Sequence, residues 1–330
     1  MFQPSTYAVA LVFMIINMFS WGSWANTIKA TKNWPFPLLY WDYVIGLIAA
    51  SLIYGLTLGS TDGGPDSFLV NLSSASSTAI LLAIAGGAVF NIANLLLVAA
   101  IDIAGLAVAF PVGIGLALVV GVIQSYILAP QGNPLLLFGG VALVMAAIIV
   151  DAIAYKRRDA GQTKGDTGKG IKLSILCGLL MGSFFPLVAK AEGGDAGLGP
   201  YAVLFVFSIG VALSALPFNG FLMKKPITNT PPVSFSDYGK TSFSNHFWGA
   251  LGGAIWCTGG MTSFVGAKSA LVGPATSYAM GQGATMVSAL WGVFVWREFA
   301  TAPAGSKKLL APMFLLFIAG LLTISVAPLY

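Results

Sequence analysis

The sequence predicts an all-α integral membrane protein: ten transmembrane helices arranged as two five-helix repeats of inverted topology. Three observations carry the prediction: the composition, the length of the apolar runs, and short motifs that return in the second half. Hydrophobic residues make up 57% of the 330-residue chain and charged residues 8%, with a mean hydropathy of +0.87. A soluble domain carries about 25% charge. Ten apolar runs lie at 7–28, 38–58, 77–100, 106–128, 134–155, 171–191, 201–223, 247–267, 274–295 and 309–328. Each is about 20 residues, the length a helix needs to cross about 30 Å of hydrocarbon.

Little separates these runs. The first lacks a basic n-region and reads as a helix rather than a cleaved signal. The three longer joins, 59–76, 156–170 and 224–246, carry the Gly, Asp, Lys, Pro and Ser of connectors outside a bilayer. None has room for a soluble domain. The expected organisation is a first repeat over 1–155, a cytoplasmic linker over 156–170 and a second repeat over 171–330. Cys177 and Cys257 fall inside helices without paired spacing and are expected as buried thiols.

Orientation follows from the basic residues. Of the 16 Lys and Arg, 14 lie in or beside the odd-numbered loops, including Lys29, Arg158, Lys164 and Arg297; the even loops hold only Lys190 and Lys268. The positive-inside rule then puts the odd loops in the cytoplasm and both termini outside. The formal charge of +5 is therefore a topology signal. Short, separated basic loops with no recognised motif give no surface for nucleic acid.

The repeat is written in small motifs. "GGAVF" at 86–90 returns as "GGAIW" at 252–256, an offset of 166 residues. Gly113 and Gly115 in the fourth run are matched by Gly281 and Gly283 in the ninth, and "WGSW" at 21–24 answers "MGSF" at 181–184. Five is odd, so the second copy enters the membrane upside down. Inverted repeats are a mark of secondary transporters, with the substrate near the midplane between the halves. One corollary is that Asp102 and Lys268, at equivalent positions, lie on opposite faces about 30 Å apart and do not pair.

Polar side chains inside these runs must face protein or a water-filled cavity. In the first run Ser20, Ser23 and Thr27 fall at i, i+3 and i+7 on one face, Trp24 follows Trp21 at i+3, and Asn26 points elsewhere. The third run supplies Asn91 and Asn94, three apart and on one face. The ninth supplies Tyr278 and Gln282; Gln124, Trp256, Thr258, Thr262 and Ser263 add to the set. Amides read donor and acceptor positions while aromatic rings cover apolar faces, which suits a neutral hydrogen-bonding solute such as a sugar or a heterocyclic ureide. The expected substrate-binding residues are Trp21, Ser23, Trp24, Thr27, Asn91, Asn94, Trp256, Tyr278 and Gln282. The same polar residues also serve to bind helices together.

Intramembrane carboxylates are functional candidates by default. Asp42, about one turn into the second run, is the candidate for proton coupling; Asp151, just before Lys156, Arg157 and Arg158, is the other. Either would equally hold a helix end, so proton symport, facilitated passage and exchange all stay open. His246 lies in the join before the eighth run.

In these residues and their arrangement the chain resembles the drug/metabolite transporter superfamily. Within it, "WGSWANTIK", "YWDYVIGL", "GGAVFNIANLLL" and "VAFPVGIGLALVVG" are similar to the ureide permeases and the related bacterial glucose/ribose porters. Their Gly-Thr-Trp, Leu-Asp-Tyr and Gly-Gly…Asn patterns fall here on Gly22, Ser23 and Trp24, on Trp41, Asp42 and Tyr43, and on Gly86, Gly87 and Asn94. Residues 156–170 are short, without the long cytoplasmic insert of the plant members. The resemblance implies a small-solute permease, and the minimal loops suit a bacterial inner membrane.

Other classes fit less well. An enzyme needs a nucleophile with a base, a metal cluster or paired carboxylates. One histidine and scattered carboxylates supply none, so no catalytic residue, metal or cofactor is expected. A drug or metabolite exporter of the same superfamily is the alternative carrier, and a membrane receptor or scaffold the alternative without transport. Partners are thus a small polar solute, the bilayer and, under symport, protons; oligomeric state is not encoded legibly.

Overall fold

Backbone amides in hydrocarbon must be satisfied within their own segment, so a chain this apolar folds as helices. The computed structural model describes residues 1–64, 66–159, 167–227 and 230–330. All regular structure among the described residues is helical. In order these are α1 (Tyr7–Ser23), α2 (Asn26–Ala30), α3 (Phe36–Leu56), α4 (Phe68–Ser74), α5 (Ser77–Ala104), α6 (Leu106–Leu128) and α7 (Pro134–Arg158). After them come α8 (Thr167–Ala191), α9 (Pro200–Lys224), α10 (Phe235–Tyr238), α11 (Phe243–Lys268), α12 (Pro274–Gly281), α13 (Ala284–Leu290), α14 (Ala304–Lys307) and α15 (Leu310–Val326).

Helix starts follow local chemistry. Side chains of Thr6, Ser76 and Asn133 accept backbone N–H groups at the N-termini of α1, α5 and α7. Proline opens α7, α9 and α12, where its missing N–H costs nothing.

Among the described residues, seven helices are long and apolar enough to cross a membrane: Phe36–Ser60, Ser77–Ala104, Val108–Leu128, Pro134–Arg158, Gly168–Ala191, Pro200–Lys224 and Ala304–Leu329. Three of the ten expected spans fall outside that set, each for a visible reason. The first is cut to 17 residues where α1 gives way to α2. The eighth lies within α11, whose Gly, Ser, Thr and Asn content dilutes its hydropathy. The ninth is divided into α12, α13 and a π-helical turn at Trp291–Val295. Of the expected linker 156–170, residues 160–166, with Lys164, lie outside the described residues.

Glycines set how closely the helices approach. A Cβ on Gly87 of α5 would lie 2.1 Å from the Phe207 carbonyl oxygen of α9, and one on Gly253 of α11 would lie 1.9 Å from that of Tyr43 in α3. Both crossings are therefore backbone against backbone, the packing small residues permit in membranes. Cys177 and Cys257 are buried free thiols. Lys268 donates to the backbone carbonyl of Glu192, while Asp102 lines a separate cavity of about 500 Å³ beside Asn219.

Candidate functional site

Two helix breaks prepare the site. Between α1 and α2 the Thr27 and Ile28 N–H groups reach back only three residues, to the Trp24 and Ala25 carbonyls. Between α12 and α13 the Gly283 N–H reaches Met280 and the Thr285 N–H reaches Gln282. Tightened turns of this kind shift helical register and re-aim the side chains that follow.

Beside both breaks lies a cavity of about 520 Å³. Its buried end is aromatic, made by Trp21, Phe90, Phe184 and Trp256 with Met181. The Trp21 and Trp256 rings stack with centroids 5.6 Å apart and planes 20° apart. Its walls carry Trp24, Asn26, Asn94, Asp151, Tyr155, Gln282, Thr285 and Ser288. Its exposed end is charged, with Lys29, Arg158 and Glu298.

Hydrogen-bonding capacity in the walls is only partly used. Asn94 donates to the Tyr40 hydroxyl at 3.4 Å, and its amide carbonyl accepts nothing among the described residues. The Gln282 side-chain amide has no partner among them, although the residue is only 8% exposed. The indole N–H of Trp21 is buried without an acceptor. Free amides and indoles around a void are ready to meet a polar ligand.

Glu298 ties the exposed end together. Its carboxylate takes Lys29 Nζ at 2.7 Å, the Tyr155 hydroxyl at 2.9 Å and Arg158 Nη1 at 3.0 Å. Burial alone would raise this carboxyl. Hydrogen bonds from Lys29 and Tyr155 and the charges of Lys29 and Arg158 instead hold it below the ordinary glutamate value. Lys29 also lies 4.7 Å over the Trp296 ring.

Of the expected binding residues, Trp21, Trp24, Asn94, Trp256 and Gln282 come together on the cavity. Four others stand behind it. Ser23 accepts the Trp291 indole N–H at 2.8 Å, and Thr27 donates to the Trp24 carbonyl at 2.8 Å. Asn91 is fully buried, accepting from Tyr40 at 2.7 Å and donating to Ser214 at 2.9 Å. Tyr278 reaches the Ala117 and Met181 carbonyls at 3.3 and 3.2 Å. Gln124, Thr258, Thr262 and Ser263 likewise bond within or between helices.

The α1–α2 break explains the difference at the first run. A continuous helix would put Ser23 and Thr27 on one stripe and turn Asn26 away; the tightened turn brings Asn26 to the wall instead. Asp42 is not among the lining residues. Trp34 Nε1 meets its carboxylate at 3.3 Å, His246 Nδ1 at 2.8 Å, and the Tyr238 hydroxyl also donates to it. This cluster joins α3 to α10 and to the first turn of α11. Thr285, Ser288 and the Lys29–Arg158–Glu298 set escaped the reading of the sequence. The signal for the last was the placement of its members at the ends of the first, fifth and ninth runs, on one side of the expected topology.

Membrane-length helices around a partly polar cavity beside broken helices make the anatomy of a multi-pass membrane carrier. The ureide permease family model matches residues 39–168 and 167–327, and the chain belongs to that family. Ureide permease 1 of Arabidopsis thaliana is 24% identical, with 96% of both chains covered. A probable glucose uptake protein of Staphylococcus aureus is 25% identical over 79% of this chain and 86% of its own. A solved structure titled only as the crystal structure of a protein superposes with a TM-score of 0.65 at 18% identity, covering 96% of both chains, and shows the same fold. These named relatives are permeases and uptake proteins rather than enzymes.

Proposed function

We propose that the chain carries a small polar neutral solute, a sugar or a ureide- or nucleobase-like heterocycle, across the inner membrane. One observation carries the reading: the Asn94 amide carbonyl and the whole Gln282 side-chain amide, both without a partner among the described residues, share a cavity with stacked indoles. Its volume of about 520 Å³ falls within the roughly 300–1,000 Å³ typical of small-molecule sites. The names of the relatives, a ureide permease and a glucose uptake protein, fit the same solute class.

The carrier works by alternating access between two inverted five-helix repeats, 1–155 and 171–330. Four close contacts support the repeat. Gly87 faces the Phe207 carbonyl as Gly253 faces that of Tyr43; Gly210 faces the Ile84 carbonyl as Gly46 faces that of Ala250. Equivalent glycines lie 164 to 166 residues apart, close to the 166 between "GGAVF" and "GGAIW" and within the 160 to 168 spanned by the sequence motifs. Helix pairs follow suit: α5 packs on α8 and on α9 as α11 packs on α1 and on α3.

On the topology that the basic residues dictate, the Lys29–Arg158–Glu298 end faces the cytoplasm and both termini lie outside. The cavity in this state is then inward-facing, and the Trp21–Phe90–Trp256 end is its outer closure. The test is uptake of labelled glucose, ribose, rhamnose, allantoin and uracil into proteoliposomes of known protein orientation. Saturable, protein-dependent entry of one of them supports the reading. No entry of any, by protein shown to be folded, overturns the solute class and favours export of other molecules.

A further inference from the structure

Among the described residues two carboxylates, Asp151 and Glu298, line the cavity, and their surroundings differ. Glu298 is met by Lys29, Arg158 and Tyr155. Asp151, inside α7 and 6% exposed, has its Oδ1 buried with no hydrogen-bond partner among the described residues. No cation stands within ion-pair distance of it among them. Arg158, two turns further along α7, is spent on Glu298 at 3.0 Å and on Asp159 at 2.7 Å. Tyr155, one turn along, gives its hydroxyl to Glu298. Helices α6 and α15, which pack on α7, contain no acidic or basic side chain, and α14 offers only Lys307, which donates to the Ala300 carbonyl.

A carboxylate without a counter-ion at this depth is costly, whereas a neutral carboxyl there needs only an acceptor. The other buried carboxylates lack the combination. Asp42 is held by Trp34, Tyr238 and His246 and is not on the cavity. Glu192 also has an unpartnered oxygen, but it lies away from the cavity lining, against Lys268.

We infer that Asp151 is the proton site of the carrier. This rests on the reading of the cavity as the transport path. Water in the cavity delivers a proton to Asp151 on one side of the membrane; the neutral carboxyl donates its O–H to the solute's oxygen or ring nitrogen. After the cavity reopens on the other side, the same proton returns to water. No bond other than O–H forms or breaks. Inward movement of solute is thereby tied to inward movement of a proton.

Infrared spectroscopy of the purified full-length protein at neutral pH tests the site without any solute. The C=O stretch of a protonated carboxyl is expected in the wild type, shifting on transfer to D2O because Asp151 borders the cavity. It is lost in D151N and kept in D42N, while E192Q removes a separate component. A band unchanged in D151N overturns the inference. In proteoliposomes, the ratio of glucose, allantoin or uracil uptake with and without an inward proton gradient exceeds one for the wild type. It falls to one in D151N and recovers in part in D151E. Uptake indifferent to the gradient in the wild type, or a gradient response kept by D151N, also overturns it. If none of these probes enters even with wild-type protein, the proposed solute class fails, and the infrared result still decides Asp151.

Discussion

The rings of Phe90 and Trp256 meet with centroids 4.3 Å apart and planes 38° apart, one from each half of the chain. They stand at the same place in "GGAVF" and "GGAIW", and under the proposed repeat they are equivalent positions. Trp256 is also stacked on Trp21 at 5.6 Å and on Phe207 at 5.8 Å. The buried end of the cavity is thus a pile of rings shared between the halves. Its strength lies in flat apolar contact, which sliding breaks gradually, without the penalty of leaving a charge bare.

Truncating this pile is expected to cost stability and closure together. Trp256→Ala removes a buried ring and should destabilise by about 3–5 kcal/mol, whereas Trp256→Phe keeps the stacking and loses far less. Thermal unfolding of the two variants in detergent gives the comparison. Equal midpoints for Ala and Phe would mean that the ring contact contributes nothing.

Asn94 and Gln282 are expected to act on solute binding. Each offers an amide group with unused capacity, so Asn94→Ala and Gln282→Ala each remove one net hydrogen bond of about 1–1.5 kcal/mol, or roughly tenfold in apparent affinity. Uptake should show a raised KM with membrane insertion intact. Normal uptake kinetics in both variants would take them out of the binding site.

How much of this was legible in the sequence divides along a physical line. Periodicity and hydropathy depend on runs of residues, and nine of the ten expected runs fall on a helix of at least 17 residues with only end shifts. The wall of the cavity depends on single turns. Trp21, Asn94 and Trp256 could be read because they sit on regular helix, and Trp24 and Gln282 because each directly follows the last residue of one, before the register slips. Asn26 could not, because the three-residue hydrogen bonds after Trp24 break the 100° progression that the reading assumed. Asn91 and Tyr278 look identical to wall residues in sequence. Their partners, Ser214 and the Ala117 carbonyl, lie 123 and 161 residues away, and only the packed chain brings them together.

Protonation of Glu298 is expected to loosen the cavity's charged end. Its carboxyl is held below the ordinary glutamate value, near 4.3, so the network contributes fully above that pH and is lost as pH falls through the lower folded value. Side chains of Lys29 and Glu298 are 46% and 26% exposed, which limits the effect to about 1 kcal/mol. The wild-type melting midpoint should exceed that of Glu298→Gln by a constant margin from about pH 8 to pH 5. That margin should shrink below about pH 4. A margin independent of pH down to about 3 would show that the contribution is not ionic.

Gly87 and Gly253 are expected to tolerate no side chain. The added Cβ of Ala would stand 2.1 Å from the Phe207 oxygen in one case and 1.9 Å from the Tyr43 oxygen in the other, both backbone atoms that cannot turn aside. The helices must then separate, and the neighbouring contacts of Val211 and Leu47 are lost with them. Gly139 makes the control, because a Cβ there meets nothing within 4 Å. Gly139→Ala gains about 1 kcal/mol of helix propensity. Purified Gly87→Ala and Gly253→Ala should therefore show lowered melting midpoints, of similar size in the two variants, while Gly139→Ala is unchanged or raised. Loss at one glycine but not the other would mean that the two helix crossings bear unequal loads, and would count against the proposed equivalence of the two halves.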